Sequence, residues 1–178
     1  MKKKSDNTWQ DIASDWLYSI IIAVVLAFCI RTFIVEPYMV SGPSMLPTLE
    51  NGERLLVNKF VYFVSEPKRD EIVIFKYPMD ESRDFIKRVI AVGGDTIEIR
   101  DGQVYVNGVL KKEDYTKEPN HSTYRKSVVP KDHIFVLGDN RNNSEDSRYS
   151  DVGFVPLKLV KGKASVIFWP FEKGRTLP

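Results

Sequence analysis

The sequence predicts a mainly β domain carried behind one N-terminal membrane helix. Three features lead there: an uncharged apolar run near the N-terminus, a change of hydrophobic period just beyond it, and Asp-Gly and Asn-Gly turns among branched and aromatic stretches. At 178 residues the chain has room for one anchor and one domain of ordinary size. Its 26 Lys and Arg against 24 Asp and Glu leave a formal charge of +2, scattered rather than striped, which argues against a nucleic-acid partner. The single cysteine, Cys29, excludes an internal disulfide framework and a Cys-rich zinc site. It lies inside the apolar run, where a packed or lipid-facing thiol is expected.

Residues 1–15 are polar, with Lys2, Lys3 and Lys4 ahead of Asp6, Asp11 and Asp15, while Trp9 and Trp16 suit the headgroup boundary. From Trp16 to Ile30 there is no charge, and Thr32-Phe33-Ile34-Val35 extends the run past Arg31 to about the 20 residues that span a bilayer. The anchor is therefore expected at 16–35, with Arg31 near its end, where the long stem carries the charge to the interface. Apolar character on all faces of Leu17 to Ile30 argues against a buried helix of a soluble domain. No small residues mark a cleavage site between Arg31 and Glu36, and Phe28 is too large for a lipoprotein signal, so the segment is an uncleaved anchor. Three lysines before it against Arg31 alone place 1–15 in the cytoplasm and 36–178 outside, across a single-pass plasma-membrane span.

Beyond Pro37 the pattern is that of strands. Arg54 to Phe63, Glu71 to Phe75 and Phe85 to Val92 are rich in branched and aromatic residues. Thr96 to Arg100, Asp101-Gly102 and Gln103 to Val106 form a hairpin, and Asn107-Gly108 repeats the turn signal at once. Leu110 to Lys126 reads as a long loop or ill-ordered insertion. His133 to Leu137 and Ala164 to Trp169 are further strands, followed by a polar tail. No repeat and no sustained amphipathic helix interrupts the pattern after the anchor.

Chemistry concentrates in three stretches. In Gly42-Pro43-Ser44-Met45-Leu46-Pro47, the flanking Gly and Pro residues can hold the Ser44 hydroxyl exposed, although Ser-Pro-Gly clusters are more often plain turns. On the strand Phe85-Ile86-Lys87-Arg88-Val89, Lys87 shares a face with Phe85 and Val89; burial there lowers a lysine's pKa and makes it a usable base, whereas most lysines are solvated. Gly138 to Arg148 is dense in hydrogen-bonding side chains, and Asp146 can pair with Arg141 or Arg148. A calcium loop does not fit this stretch: Arg141 stands at the third position, no glycine follows at the sixth, and Ser150 replaces the closing glutamate. His121 and His133 are too few and too far apart for a metal site, so neither metal nor cofactor is expected.

Taken together, Ser44-Met45-Leu46-Pro47-Thr48-Leu49, Phe85 to Val89 and Gly138 to Arg148 resemble, in order and behind an anchor, the motifs of bacterial type I signal peptidases, most closely the compact Gram-positive members. The resemblance runs from the anchor to about Pro170. It implies a β-rich catalytic domain of signal-peptidase type and a membrane-bound serine endopeptidase that removes signal peptides from exported preproteins with a Ser-Lys dyad. Carried over by position, Ser44 matches the nucleophile, Lys87 the general base and Ser144 a serine that hydrogen-bonds the lysine amine. Asp146 and Arg148 match a supporting ion pair, and the Ser44 backbone N–H is the expected oxyanion donor. Partners implied are the lipid bilayer and preproteins with small residues before the cleavage site. The chain departs from the common pattern with Asp70 and Gly93 in place of glycine and proline, and with Gly42 where some members place an oxyanion-stabilising serine. A Ser-Lys autopeptidase and a non-catalytic tethered β-domain are the alternatives; the anchor replaces the DNA-binding module the first would carry.

Overall fold

The computed structural model describes residues 9–178, so Lys2, Lys3 and Lys4, on which the expected orientation rests, lie outside the described residues. Helix α1 (Trp9–Cys29) continues through a π-helical turn, Ile30–Ile34. The 23 residues Ile12–Ile34, none buried by the rest of the protein, are long and apolar enough to cross a membrane. At a rise of about 1.5 Å per residue they reach about 35 Å, more than a hydrocarbon core of about 30 Å. Val35, expected in the anchor, is instead the first residue of strand β1 (Val35–Met39). No linker separates the two, because the Ile34 carbonyl accepts the Lys59 N–H at 2.8 Å and Glu36 accepts the Lys59 ammonium at 3.2 Å.

The remaining elements are β2 (Arg54–Asn58), a one-turn helix α2 (Val61–Val64), β3 (Ile72–Tyr77), β4 (Asp80–Val92), β5 (Thr96–Arg100) and β6 (Gln103–Val106). After them come β7 (Val109–Leu110), β8 (Tyr124–Val128), β9 (His133–Leu137), β10 (Val155–Pro156), β11 (Val160–Trp169) and β12 (Arg175–Thr176). The larger sheet runs β1-β2-β11-β3-β4-β9-β10 with β12 against β11, and the smaller runs β7-β6-β5-β8. Strands pair antiparallel throughout. Val35, Asn58, Lys163, Val73 and Lys87 stand in one cross-strand row. At about 4.8 Å per strand, Lys87 is about 19 Å along the sheet from the point where the anchor enters it.

Alternation of apolar residues builds three clusters. Val40, Met45, Leu49, Leu55, Val57 and Ile167 join the Ser44 loop to β2 and β11. Val73, Phe75, Val89, Val136 and Leu159 fill the middle of the large sheet, and Ile90, Ile97, Ile99, Val104 and Phe135 pack the two sheets together. Burying a side chain of this kind stabilises a fold by about 1.5–3 kcal/mol, so these rows outweigh local preference wherever the two conflict.

Local chemistry corrects the expected elements in three places. Arg54 to Phe63 is not one strand: Asn58 Oδ1 accepts the Val61 N–H at 3.1 Å, ending β2 and starting α2. Leu110 to Lys126 carries little regular structure before β8, yet it is pinned, because Glu113 accepts two hydrogen bonds from Arg141 at 2.6 and 2.8 Å. Tyr115 in the same segment lies under the Arg88 guanidinium, 4.0 Å from ring centre to charge centre. The polar tail also belongs to the fold: Arg175 on β12 donates to buried Glu53 at 2.7 and 3.0 Å and to the Thr48 carbonyl at 2.7 Å.

Both residues of the Asp101-Gly102 turn have positive φ, 51° and 74°, as a two-residue hairpin requires. A methyl group on Gly102 would also run into the Asn120 backbone, whereas at Gly108, with φ 77°, it would meet nothing. Gly108→Ala should therefore lower stability by about 1–2 kcal/mol, the left-handed backbone cost, and Gly102→Ala by clearly more; equal losses in denaturant titrations would contradict the packing of the insertion on this hairpin.

Candidate active site

Ser44 lies on a turn between β1 and β2 whose apolar members Met45 and Leu49 are sunk in the first core cluster. The Leu46 N–H donates to the Pro43 carbonyl at 3.1 Å and the Leu49 N–H to the Met45 carbonyl at 2.9 Å. Asn140 holds the turn from the other side: its N–H donates to the Ser44 carbonyl at 3.0 Å and its side-chain amide to the Pro43 carbonyl at 3.2 Å. Among the described residues the Ser44 N–H donates to nothing, which leaves it free for a developing oxyanion. Met45 itself points into the core.

Lys87 sits where β4 begins to leave β9: it faces Val73 on β3, and pairing with β9 starts only at Arg88. Its amine is hydrogen-bonded to the Ser44 hydroxyl at 2.9 Å. The Phe85 ring centre lies 5.2 Å from the amine, and the residue is only 5% exposed. Burial pushes the amine down from its ordinary 10.5 to about 8, against the upward pull of Asp146 and Glu145. Ser44 and Lys87 lie at the wall of a cleft of about 550 Å³ that Tyr38, Val40, Ile86 and Glu145, among others, also line.

The loop after β9 brings the supporting residues in. Asp146, fully buried, accepts from Arg148 at 2.7 and 2.8 Å and from the Gly138 N–H at 3.0 Å, so Arg148 and not Arg141 is its partner. The bond expected between Ser144 and the lysine amine is not formed: the Ser144 hydroxyl is buried without a hydrogen-bond partner. Its side chain lies against the bare backbone of Gly138, where a Cβ would meet the Ser144 hydroxyl and, at 2.5 Å, the Ser44 carbonyl. The amine is engaged by Ser44 instead.

Sequence reasoning passed over the neighbouring network. Arg88 donates to both oxygens of Asp139 at 2.8 and 2.7 Å, both residues being buried, and Thr48 Oγ1 donates to Asp139 at 2.5 Å. This ties β4, the Ser44 turn and the loop after β9 together within one residue of the dyad. The signal was legible: an arginine inside the apolar strand Phe85 to Val92 needs a buried acid. Arg88 also donates to the carbonyl of Asp70, which has φ 74°, a left-handed conformation that suits the glycine usual at this place and that Asp tolerates. Among the described residues no three His, Cys, Asp or Glu side chains gather as a metal site would need.

A serine hydroxyl hydrogen-bonded to a buried, depressed lysine at the wall of a cleft, beside an unengaged backbone N–H, is an arrangement that suits lysine-assisted attack by a serine. Comparison with known proteins narrows this. The family described as signal peptidase, peptidase S26, matches residues 13–169. Signal peptidase I P of Bacillus subtilis subsp. natto is 40% identical over 171 residues, 90% of this chain and 91% of that one. A probable signal peptidase I-2 of Synechocystis is 42% identical over 180 residues, covering 97% and 79%. The crystal structure of a signal peptidase I from Enterococcus faecalis superposes with a TM-score of 0.51 at 34% identity, covering 57% of this chain and 99% of that one. The chain belongs to the signal peptidase family, peptidase S26.

Because burial lowers the amine's affinity for its proton, the unfolded chain binds that proton and the folded one does not between about pH 8 and 10.5. The cost of enclosing the ammonium is thus fully present below pH 8 and disappears as pH rises through that window. Lys87→Met, which removes the charge but keeps the stem, should be more stable than the parent at pH 7, with the difference shrinking towards pH 10.5 in parallel denaturation curves. A difference that stays constant with pH would mean that Lys87 is not held neutral by burial.

Proposed function

We propose that Ser44 is the nucleophile and Lys87 the general base of signal-peptide cleavage, the carrying observation being the 2.9 Å bond between the Ser44 hydroxyl and a lysine amine brought down to about 8. The protein is a membrane-bound serine endopeptidase that removes signal peptides from exported preproteins. In the proposed sequence neutral Lys87 takes the Ser44 proton as Oγ attacks the scissile carbonyl. The Ser44 N–H donates to the oxyanion, the turn being held open for it by the Asn140 hydrogen bonds to the Ser44 and Pro43 carbonyls. Lys87 then passes the proton to the departing amine and activates the water that releases the acyl group. Asp146 and Arg148 keep the loop behind the amine in place, and Ser144 contributes packing rather than a bond to the lysine.

Residues 36–178 are proposed to lie outside the cytoplasm with 1–15 inside, on the lysine asymmetry, and to act after small residues at the first and third positions before the cut, on the family membership.

Purified enzyme in detergent should cut a preprotein after Ala-X-Ala, the site read by mass spectrometry. Its kcat/KM should rise with pH along an acid limb near 8. Lys87→Arg keeps the charge but stays protonated at any working pH, so it should be as inactive as Ser44→Ala while remaining folded. Substantial turnover by Lys87→Arg would move the base elsewhere, and equal cleavage of an Ala→Leu substrate would remove the small-residue rule. External protease on protoplasts should digest the domain; protection would reverse the orientation.

A further inference from the structure

Each residue of β4 from Arg83 to Lys87 lines the cleft that holds the dyad. Arg83, Phe85 and Lys87 share one face of the strand, and the Phe85 ring centre lies 5.2 Å from the Lys87 amine and 5.4 Å from the Arg83 guanidinium. Tyr77, stacked on Phe85 at 4.7 Å, lies 5.1 Å from the same guanidinium, so two rings hold an exposed arginine in place. The acids around it are engaged elsewhere. Asp84 takes Lys161 at 2.7 Å, Glu81 takes Lys76 at 2.9 Å, and Asp80 accepts from the Ser82 hydroxyl at 2.6 Å. Asp151 accepts from the Tyr77 hydroxyl at 2.9 Å, and Glu145 on the facing loop is hydrogen-bonded to Asp151. Among the described residues Arg83 forms an ion pair with none of them.

We propose that Arg83 is a specificity-determining residue that pairs with an acidic side chain of the preprotein about four residues from the scissile bond, a role that rests on the Ser44–Lys87 reading of this cleft. The distance follows from the strand. On its β9 side β4 is unpaired before Arg88, so the edge from Arg83 to Lys87 lies open to an extended chain. Steps of about 3.3 Å per residue put Arg83 about 13 Å from Lys87 along that edge, and an extended substrate reacting at Ser44 spans the same distance in about four residues. Chemistry selects a carboxylate as the partner. A guanidinium lying on rings keeps its N–H donors in its own plane, where two of them match the two oxygens of a carboxylate. Because the neighbouring acids are occupied, they do not compete for it.

The test uses the full chain in detergent and water-soluble peptides that differ only in carrying Glu or its neutral isostere Gln at one position. That position is moved from four to six residues before an Ala-X-Ala cut and from three to six after it. At one position about four residues from the cut, kcat/KM should be about fivefold higher for Glu than for Gln, the upper end for an exposed ion pair. The gain should fall in KM rather than kcat and shrink as salt rises. In Arg83→Gln the ratio should drop to about one. Arg83→Glu should favour Lys over Gln at the same position, a reversal that a merely structural loss at residue 83 would not produce. A ratio of about one or below at every position overturns the proposal, as does an unchanged ratio in Arg83→Gln. Gln peptides left uncut by the parent, or cut equally by Ser44→Ala, would remove the dyad assignment and this role together. Gln peptides cut only when Ser44 is present, with no preference for Glu, would remove this role alone.

Discussion

A lysine ammonium has no lone pair, so Lys87 can take a proton from Ser44 only when neutral, and water favours the charged form. Withholding water from one amine is therefore the requirement that the proposed chemistry imposes on the fold. Val73 across the ladder, the Phe85 ring and the Ser44 turn close over the amine and bring it to about 8. Had Asp146 or Glu145 been free to pair with it directly, the same burial would have made an ion pair and raised it instead. Asp146 is prevented from doing so because Arg148 and the Gly138 N–H already occupy its oxygens.

The same logic orders the charges around the site. Arg88 with Asp139, Arg141 with Glu113 and Arg148 with Asp146 are all largely buried pairs with two hydrogen bonds each. Such pairs add little net stability, but breaking one leaves an uncompensated charge at a cost of about 3–5 kcal/mol, so they define which arrangement of loops is allowed. Tyr115 lies against both Arg88 and Arg141, which makes the 110–126 segment a brace for the loop that carries Asn140. Its lack of regular structure and its fixed position are compatible because side chains, not a backbone ladder, hold it.

Position relative to the membrane is set by backbone chemistry at one residue. The Ile34 carbonyl, at a helix end where an acceptor would otherwise be left over, is taken by Lys59 at the end of β2. The anchor therefore passes into the edge of the sheet with no intervening hinge, and the dyad is tied to the bilayer through four strand pairings rather than through a tether.

Sequence alone determined the features that depend on local pattern: the apolar run of the anchor, the period-two strands and the Asp101-Gly102 hairpin; Ser44 and Lys87 became firm candidates only through the resemblance of three motifs, in order, to a known family. Those signals survive in one dimension because periodicity, positive-φ turn residues and motif order are written in consecutive residues. What only the tertiary structure decided was partnership. That Arg148 rather than Arg141 takes Asp146, that Arg88 finds Asp139 fifty-one positions away, and that Ser144 packs on Gly138 instead of bonding the amine all depend on which loops meet. Neutrality of Lys87 belongs with them, since desolvation is the sum of every neighbour that displaces water, and strand alternation supplies only the few that share its own strand.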